Sequence, residues 1–268
     1  MPQFDSPVAS RCSVGLLDAG ELRPDEYTRY LSEDEKTNYL ALRSETRKRE
    51  WLAGRLAVKY IFLNWLELSP EAQDRDWRPT LSRVSPAMLG DYSPWMYQKV
   101  QVSTNDGKPN LTWCGKTRGE SISLSHSRGV SCASIGFGTA IDVEANLPRV
   151  DAFYRINFSE VEKGWAMSGE HVRSNWLFTF LWTVKESVLK LGWLKQATVW
   201  SFPRVEINGL PGVRDIGRFW HSRMMSNDFA VFTLSVKDHG RVMPVQVAVT
   251  GTRNLILTVM NPLGGVVT

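Results

Sequence analysis

Cysteine is scarce in this chain: Cys12, Cys114 and Cys132 are the three among 268 residues. An odd count at unrelated spacings, without a C-x-x-C pair, gives no support to a disulfide framework, a metal knuckle or a redox motif, and fits idle thiols in a reducing compartment. Long apolar runs are also missing, and none approaches the roughly 20 residues that span a bilayer. The opening Met1-Pro-Gln-Phe-Asp5 lacks the basic and apolar regions of a secretory signal. A cytoplasmic protein with no membrane partner is expected. Nor does the sequence contain H-E-x-x-H, G-x-S-x-G, a Walker loop or G-x-G-x-x-G, so zinc protease, serine hydrolase, P-loop and dinucleotide readings have nothing to rest on. There is no low-complexity tract and no short-period repeat.

What is present is an ordinary globular balance, 43% hydrophobic and 22% charged. At roughly 150 residues per domain the length accommodates one large unit or two modest ones, and two lobes are expected, residues 1–138 and 139–268. The net charge is only +4. Yet Arg43, Arg47, Lys48, Arg49, Arg55 and Lys59 face only Glu45 and Glu50 within one short segment, a local surplus equal to that of the whole chain. Such a field gathers phosphates or an acidic partner, although a charge run is also the ordinary dress of a solvated face.

Along the chain, a strand is expected over 13–17 and helix over much of 25–67, where Leu52, Leu56, Tyr60 and Leu63 recur on one helical face. Lys48, Arg55 and Lys59 should then line an edge beside it. Residues 69–111 have little period and read as loop with short strands or turns. Strands follow at 121–124 and 129–136, with a turn at Gly136-Phe-Gly138 into another at 139–144. Phe158 to Met167 reads as a helix with Ser159 and Glu162 forming a capping box. A long helix over 174–194 buries Leu177, Leu181, Val184, Val188 and Leu191. Apolar runs at 229–236, 242–249 and 255–259 read as an antiparallel sheet, which makes the class α+β. Trp51 precedes Lys59 by the same interval as Trp182 precedes Lys190, an echo that two related lobes would leave.

Alternation along a strand places Asp142 and Glu144 on one face, with Ile141 and Val143 toward the core. Two adjacent carboxylates repel unless a cation sits between them, and their hard oxygens suit Mg²⁺. A D-x-E pair alone is common on solvent-facing strands. On the long helix Trp182, Glu186 and Lys190 stand in one column nearly opposite the apolar stripe, either lining a cleft or forming an exposed Glu–Lys pair. His126, in Ser123-Leu-Ser-His-Ser127, stands among hydroxyls that could join it on a phosphate or simply bond locally. His171, His221 and His239 have no recognisable partner.

Taken in order, Gly107-Lys-Pro109, Ser123-Leu-Ser-His-Ser127, Ala140-Ile-Asp-Val-Glu144, Phe158-Ser-Glu-Val-Glu162 and Trp182-Thr-Val-Lys-Glu-Ser-Val-Leu-Lys190 resemble the motifs of 4'-phosphopantetheinyl transferases of the surfactin type. The upstream Trp51-Leu-Ala-Gly-Arg-Leu-Ala-Val-Lys59 is similar to that family's N-terminal helix. The resemblance implies two similar α+β lobes related by pseudo-two-fold symmetry, with coenzyme A and Mg²⁺ in the cleft between them. It implies that Asp142, Glu144 and Glu186 bind the metal and that Lys190 contacts the pyrophosphate. His126 would meet the 3'-phosphate, and Lys59, Arg47 and Lys108 would be further phosphate or nucleotide contacts.

The implied reaction moves 4'-phosphopantetheine from coenzyme A to a serine of an acyl or peptidyl carrier protein of fatty-acid, polyketide or nonribosomal peptide biosynthesis. Adenosine 3',5'-bisphosphate leaves. The serine proton would pass to Glu186 or to a water on the metal, with Lys190 and Mg²⁺ holding the departing charge. The resemblance ends after Lys190, where the chain reads Leu191-Gly-Trp-Leu-Lys195 in place of a Gly-rich stretch, and it does not extend to residues 66–104 or beyond about 200. A monomer is expected, with an acidic carrier protein and coenzyme A as partners and no nucleic acid. Two rivals use the same residues: a metal-dependent phosphodiesterase or nuclease, and a non-enzymatic basic module that docks acidic proteins.

Overall fold

The computed structural model describes residues 12–67, 77, 79–105, 108–168, 171–192, 205–212, 229–238, 241–252 and 254–263, with side chains of 171–173 excepted. The first half is built on strand β1 (Cys12–Asp18), which pairs in parallel with β2 (Thr80–Arg83) and antiparallel with β7 (Val130–Gly136). β7 also pairs antiparallel with β6 (Ser121–Ser127), giving the order β2-β1-β7-β6. Helix α3 (Glu45–Glu67) lies across β7 and β1. It comes close because Gly15 carries no side chain: a Cβ there would stand 2.8 Å from Ile61 Cγ2 and 3.2 Å from Ala57 O.

Over the other side of α3 lie α1 (Pro24–Tyr27), α2 (Glu33–Ala41), α4 (Pro94–Lys99) and a small sheet of β3 (Val100–Asn105), β4 (Lys108–Trp113) and β5 (Lys116–Thr117). Sandwiched in this way, α3 buries every residue from Leu52 to Leu63. The expected stripe of Leu52, Leu56, Tyr60 and Leu63 is in the core, but so is the edge beside it. A helix covered all round has no solvated side on which to present a row of cations. The segment read as loop with short strands or turns does hold β2, β3 and the start of β4, and it also holds α4, which at six residues is too short for a period to reveal it.

The second half runs β8 (Ala140–Ala145), α5 (Asp151–Asn157), α6 (Glu160–Met167), α7 (His171–Lys190), β9 (Glu206–Asn208), β10 (Ala230–Asp238), β11 (Arg241–Thr252) and β12 (Leu255–Pro262). Its strands form an antiparallel sheet in the order β8-β12-β11-β10-β9, with α7 packed on β12 and β8. Leu177, Leu181, Val184 and Val188 are buried as expected, with Leu191 packed at the margin, and the helix stops at Lys190 before Gly192 turns with φ +72°. The sheets meet through Val14, Cys132, Ile141, Val143, Ala248, Leu257 and Val259. Helices combined with largely antiparallel sheets make the chain α+β, and among the described residues no helix is long and apolar enough to cross a membrane.

The halves repeat one construction. In each, the first strand pairs antiparallel with the last, and the last with its predecessor. Each also has a capping box at the start of a short helix, Ser32 with Glu35 and Ser159 with Glu162. The capping glutamate reaches a lysine buried in the following long helix: Glu35 pairs with Lys59, and Glu162 with Lys185 at 2.7 Å. Each lysine also donates to the carbonyl two residues before the cap, Tyr30 O at 3.2 Å and Asn157 O at 2.7 Å. Each glutamate's other oxygen accepts a strand N–H, Val102 at 3.2 Å or Ile207 at 2.9 Å. Lys59 therefore corresponds to Lys185, and the spacing echo that matched it to Lys190 is out of register.

Candidate active site

β8 is an edge strand, with β12 on one side only, and its other edge faces β6. The alternating serines of β6 fill the gap that a backbone ladder would otherwise close. Ser123 Oγ accepts from Ile141 N at 3.2 Å, Ser127 Oγ from Ala145 N at 3.1 Å and Ser121 Oγ from Gly138 N at 3.2 Å. These hydroxyls satisfy an exposed strand edge. Ser123 and Ser127 are engaged with β8 in this way, and Ser121 with the turn before it.

With the alternation of β8 locked, Ile141 and Val143 enter the core and Asp142 and Glu144 share the opposite face, as expected. Asp142 is 3% exposed. Its Oδ1 accepts from Lys190 Nζ at 2.7 Å and from Ser125 Oγ at 2.7 Å, whereas its buried Oδ2 has no hydrogen-bond partner among the described residues. Lys190 Nζ also donates to Ile141 O at 3.0 Å. The lysine thus reaches across to β8, and the exposed Glu186–Lys190 pair is not formed.

Glu144 accepts from Arg149 at 3.0 Å, from Trp182 Nε1 at 3.4 Å and from Ser127 Oγ at 3.4 Å. Trp182, Glu186 and Lys190 are all half-buried, so their column lines a cleft facing β8. Burial is the main reason the Glu186 carboxyl is pushed up from 4.5 to about 7, with the charges of Asp142 and Glu144 adding to it and Lys190 opposing. Glu144 is raised by burial and then by Asp142, against the pull of Arg149. Three acids are in electrostatic contact here with two cations.

His126, on the α3 side of β6, has Nδ1 3.0 Å from Glu50 Oε2, and Glu50 Oε1 accepts from Gly129 N at 3.1 Å. Burial lowers the imidazole pKa, followed by the charge of Arg47, with Lys190 lowering it further and Glu50 and Asp142 opposing. Arg47 is exposed, and it, Lys190 and Asp142 lie near enough for their charges to act on the imidazole. Lys108 Nζ lies against Gly192, just beyond the end of α7, where the helix dipole favours a cation. Gly107, His221 and His239 lie outside the described residues, as does the side chain of His171.

Lys59 is not part of this cleft. It is fully buried against Glu35 and the carbonyls of Tyr30 and Tyr97, and Arg55 stacks on Trp51 at 4.6 Å. Lys59 is not available to a phosphate, because the hydrogen bonds of its ammonium go to Glu35 and the two carbonyls. Residues that the motifs did not single out are Glu50, Ser125 and Arg149. The serine alternation could have pointed to Ser125, but no local pattern marks Arg149 or Glu50.

Among the described residues no group of three His, Cys, Asp or Glu side chains is arranged to hold a metal ion, and the ammonium of Lys190 is the cation on Asp142. The donor chemistry nonetheless suits a divalent ion. Asp142 Oδ2 is an orphaned buried carboxylate oxygen, and Glu144 and Glu186 are both raised in part by neighbouring negative charge, as a place short of positive charge would make them. The chain matches no protein-family model and no curated protein, so the functional reading rests on the site and its ordered motifs.

Proposed function

We propose that this chain is a 4'-phosphopantetheinyl transferase of the surfactin type, which moves 4'-phosphopantetheine from coenzyme A to a serine of an acyl or peptidyl carrier protein and releases adenosine 3',5'-bisphosphate. The observation that carries this reading is the convergence of Asp142, Glu144, Glu186 and Lys190 between β8 and α7, with His126 near enough to feel the charges of Asp142, Lys190 and Arg47. The repeated strand order and the twin glutamate–lysine pairs support two similar lobes related by pseudo-two-fold symmetry. The cleft then lies where the lobes meet.

In this reading Asp142, Glu144 and Glu186 would hold Mg²⁺, which supplies neutralisation of the charge that builds on the transferring phosphate. Lys190 contacts the pyrophosphate, and His126, Arg47 and Lys108 receive the remaining phosphates and nucleotide. Glu186, or a water beside the three acids, would accept the proton of the carrier serine. Attack of the serine oxygen on the pantetheine-bearing phosphorus breaks its bond to the bridging oxygen of the pyrophosphate. The departing bisphosphate carries the released charge, which Lys190 stabilises.

The test is incubation with coenzyme A, Mg²⁺ and a panel of apo carrier proteins from fatty-acid, polyketide and peptide synthesis, read by mass spectrometry. One carrier should gain a single phosphopantetheine on serine, and Glu186→Gln should remove most turnover. Absence of transfer to every carrier would refute the reading. Hydrolysis of a phosphodiester without a carrier would favour the phosphodiesterase instead, and carrier binding that Asp142→Ala leaves intact, without Mg²⁺ dependence, would favour the docking module.

A further inference from the structure

Lys190 and a divalent ion would compete for the same carboxylate. Its Nζ stands 2.7 Å from Asp142 Oδ1, an oxygen already receiving Ser125 Oγ, and the aspartate side chain is only 4% exposed. A carboxylate buried this deeply needs a positive partner, since leaving one unpaired is strongly unfavourable. A Mg²⁺ or Mn²⁺ ion binds carboxylate oxygen at about 2 Å. An ion on Asp142 would therefore share the carboxylate with the ammonium at a separation where like charges repel. Lys190 has somewhere else to go: it is in the last turn of α7, its side chain is 26% exposed, and it is close enough to His126 for its charge to act there.

We propose that Lys190 is a tethered cation that stands in for the divalent ion on Asp142, and that a phosphate in the cleft draws it away and thereby makes the carboxylate available to the ion. This rests on the metal site of the proposed function and adds a coupling to it. The anion gives Lys190 a new partner, Asp142 loses its countercharge, and the affinity for the divalent ion rises. Linkage makes the effect reciprocal, so the ion strengthens anion binding by the same factor. The arrangement favours loading nucleotide and metal together over either alone.

The experiment follows free Mn²⁺ by electron paramagnetic resonance in titrations of the full chain, with and without adenosine 3',5'-bisphosphate, corrected for Mn²⁺ bound by the nucleotide itself. In the parent chain the bisphosphate should tighten Mn²⁺ about tenfold, within the usual span of coupling between two sites. Lys190→Met should bind Mn²⁺ about tenfold more tightly than the parent without nucleotide, and the bisphosphate should then add less than about twofold. Lys190→Gln, which keeps a hydrogen-bond donor but not the charge, should behave as the methionine variant does and guards against a folding defect. Parent-like or weaker Mn²⁺ binding in folded Lys190 variants overturns the exchange while leaving the metal site standing. If parent and variants alike bind no Mn²⁺ under either condition, both the metal-site reading and the coupling fail.

Discussion

Replacing Lys185 by methionine removes one member of an ion pair whose side chains are both 0% exposed. Glu162 keeps two backbone donors, Ser159 N at 2.8 Å and Ile207 N at 2.9 Å, but loses its countercharge. Breaking a buried pair from one side costs about 3–5 kcal/mol, and the surviving hydrogen bonds place the expected loss near about 3 kcal/mol. The companion Glu162→Gln/Lys185→Met removes both charges and should recover at least half of that loss, because the cost lies in the stranded carboxylate. Lys59→Met should behave alike, since Glu35 retains Ser32 N at 2.9 Å and Val102 N at 3.2 Å. Urea unfolding measures the midpoint and slope of each variant. A Lys185→Met protein within about 1 kcal/mol of the parent at unchanged slope, or a double variant no better than the single, would refute the argument that this pair clamps α7 to α6.

Three further outcomes are expected. The Glu186 carboxyl is raised from 4.5 to about 7, so the folded protein holds a proton that the unfolded chain has released. Its contribution is therefore full below the unfolded value and is lost as pH rises through about 7; with chelator present, Glu186→Gln should be near neutral at low pH and stabilising by on the order of 3 kcal/mol at pH about 8, as unfolding at both pH values will test. Gly15→Ala forces a methyl against Ile61 and the Ala57 carbonyl and should cost about 1–3 kcal/mol by thermal or urea unfolding. Ser123→Ala takes the hydroxyl from Ile141 N at the β6–β8 seam and should cost about 1–3 kcal/mol, a loss that Ser123→Thr should avoid in part.

Much of the candidate site was legible in local periodicity. Alternation alone put Asp142 and Glu144 on one face, and the helical period put Trp182, Glu186 and Lys190 in a column away from Leu177, Leu181 and Val184. The capping box of Ser159 and Glu162 was readable too, although not the second task of Glu162, which depends on Lys185 in another helix. The error over Lys59 has the same origin. Its spacing beside an apolar stripe suits a solvated edge, and what buries it is a second layer of structure together with Glu35, 24 residues earlier in the chain.

The sequence by itself determined the α+β class, the buried stripes of the two long helices and the shared face of the acidic pair, because those depend on dihedral periods of 2 and 3.6 residues. Tertiary structure decided which cation stands beside which acid. Lys190 turns to Asp142 and not to Glu186, and His126 meets Glu50, each pair bringing together different elements, while Arg149 meets Glu144 from the loop that follows β8. Coulomb energy depends on distance and burial, and neither is a property of position along the chain until β6, β8, α3 and α7 have packed.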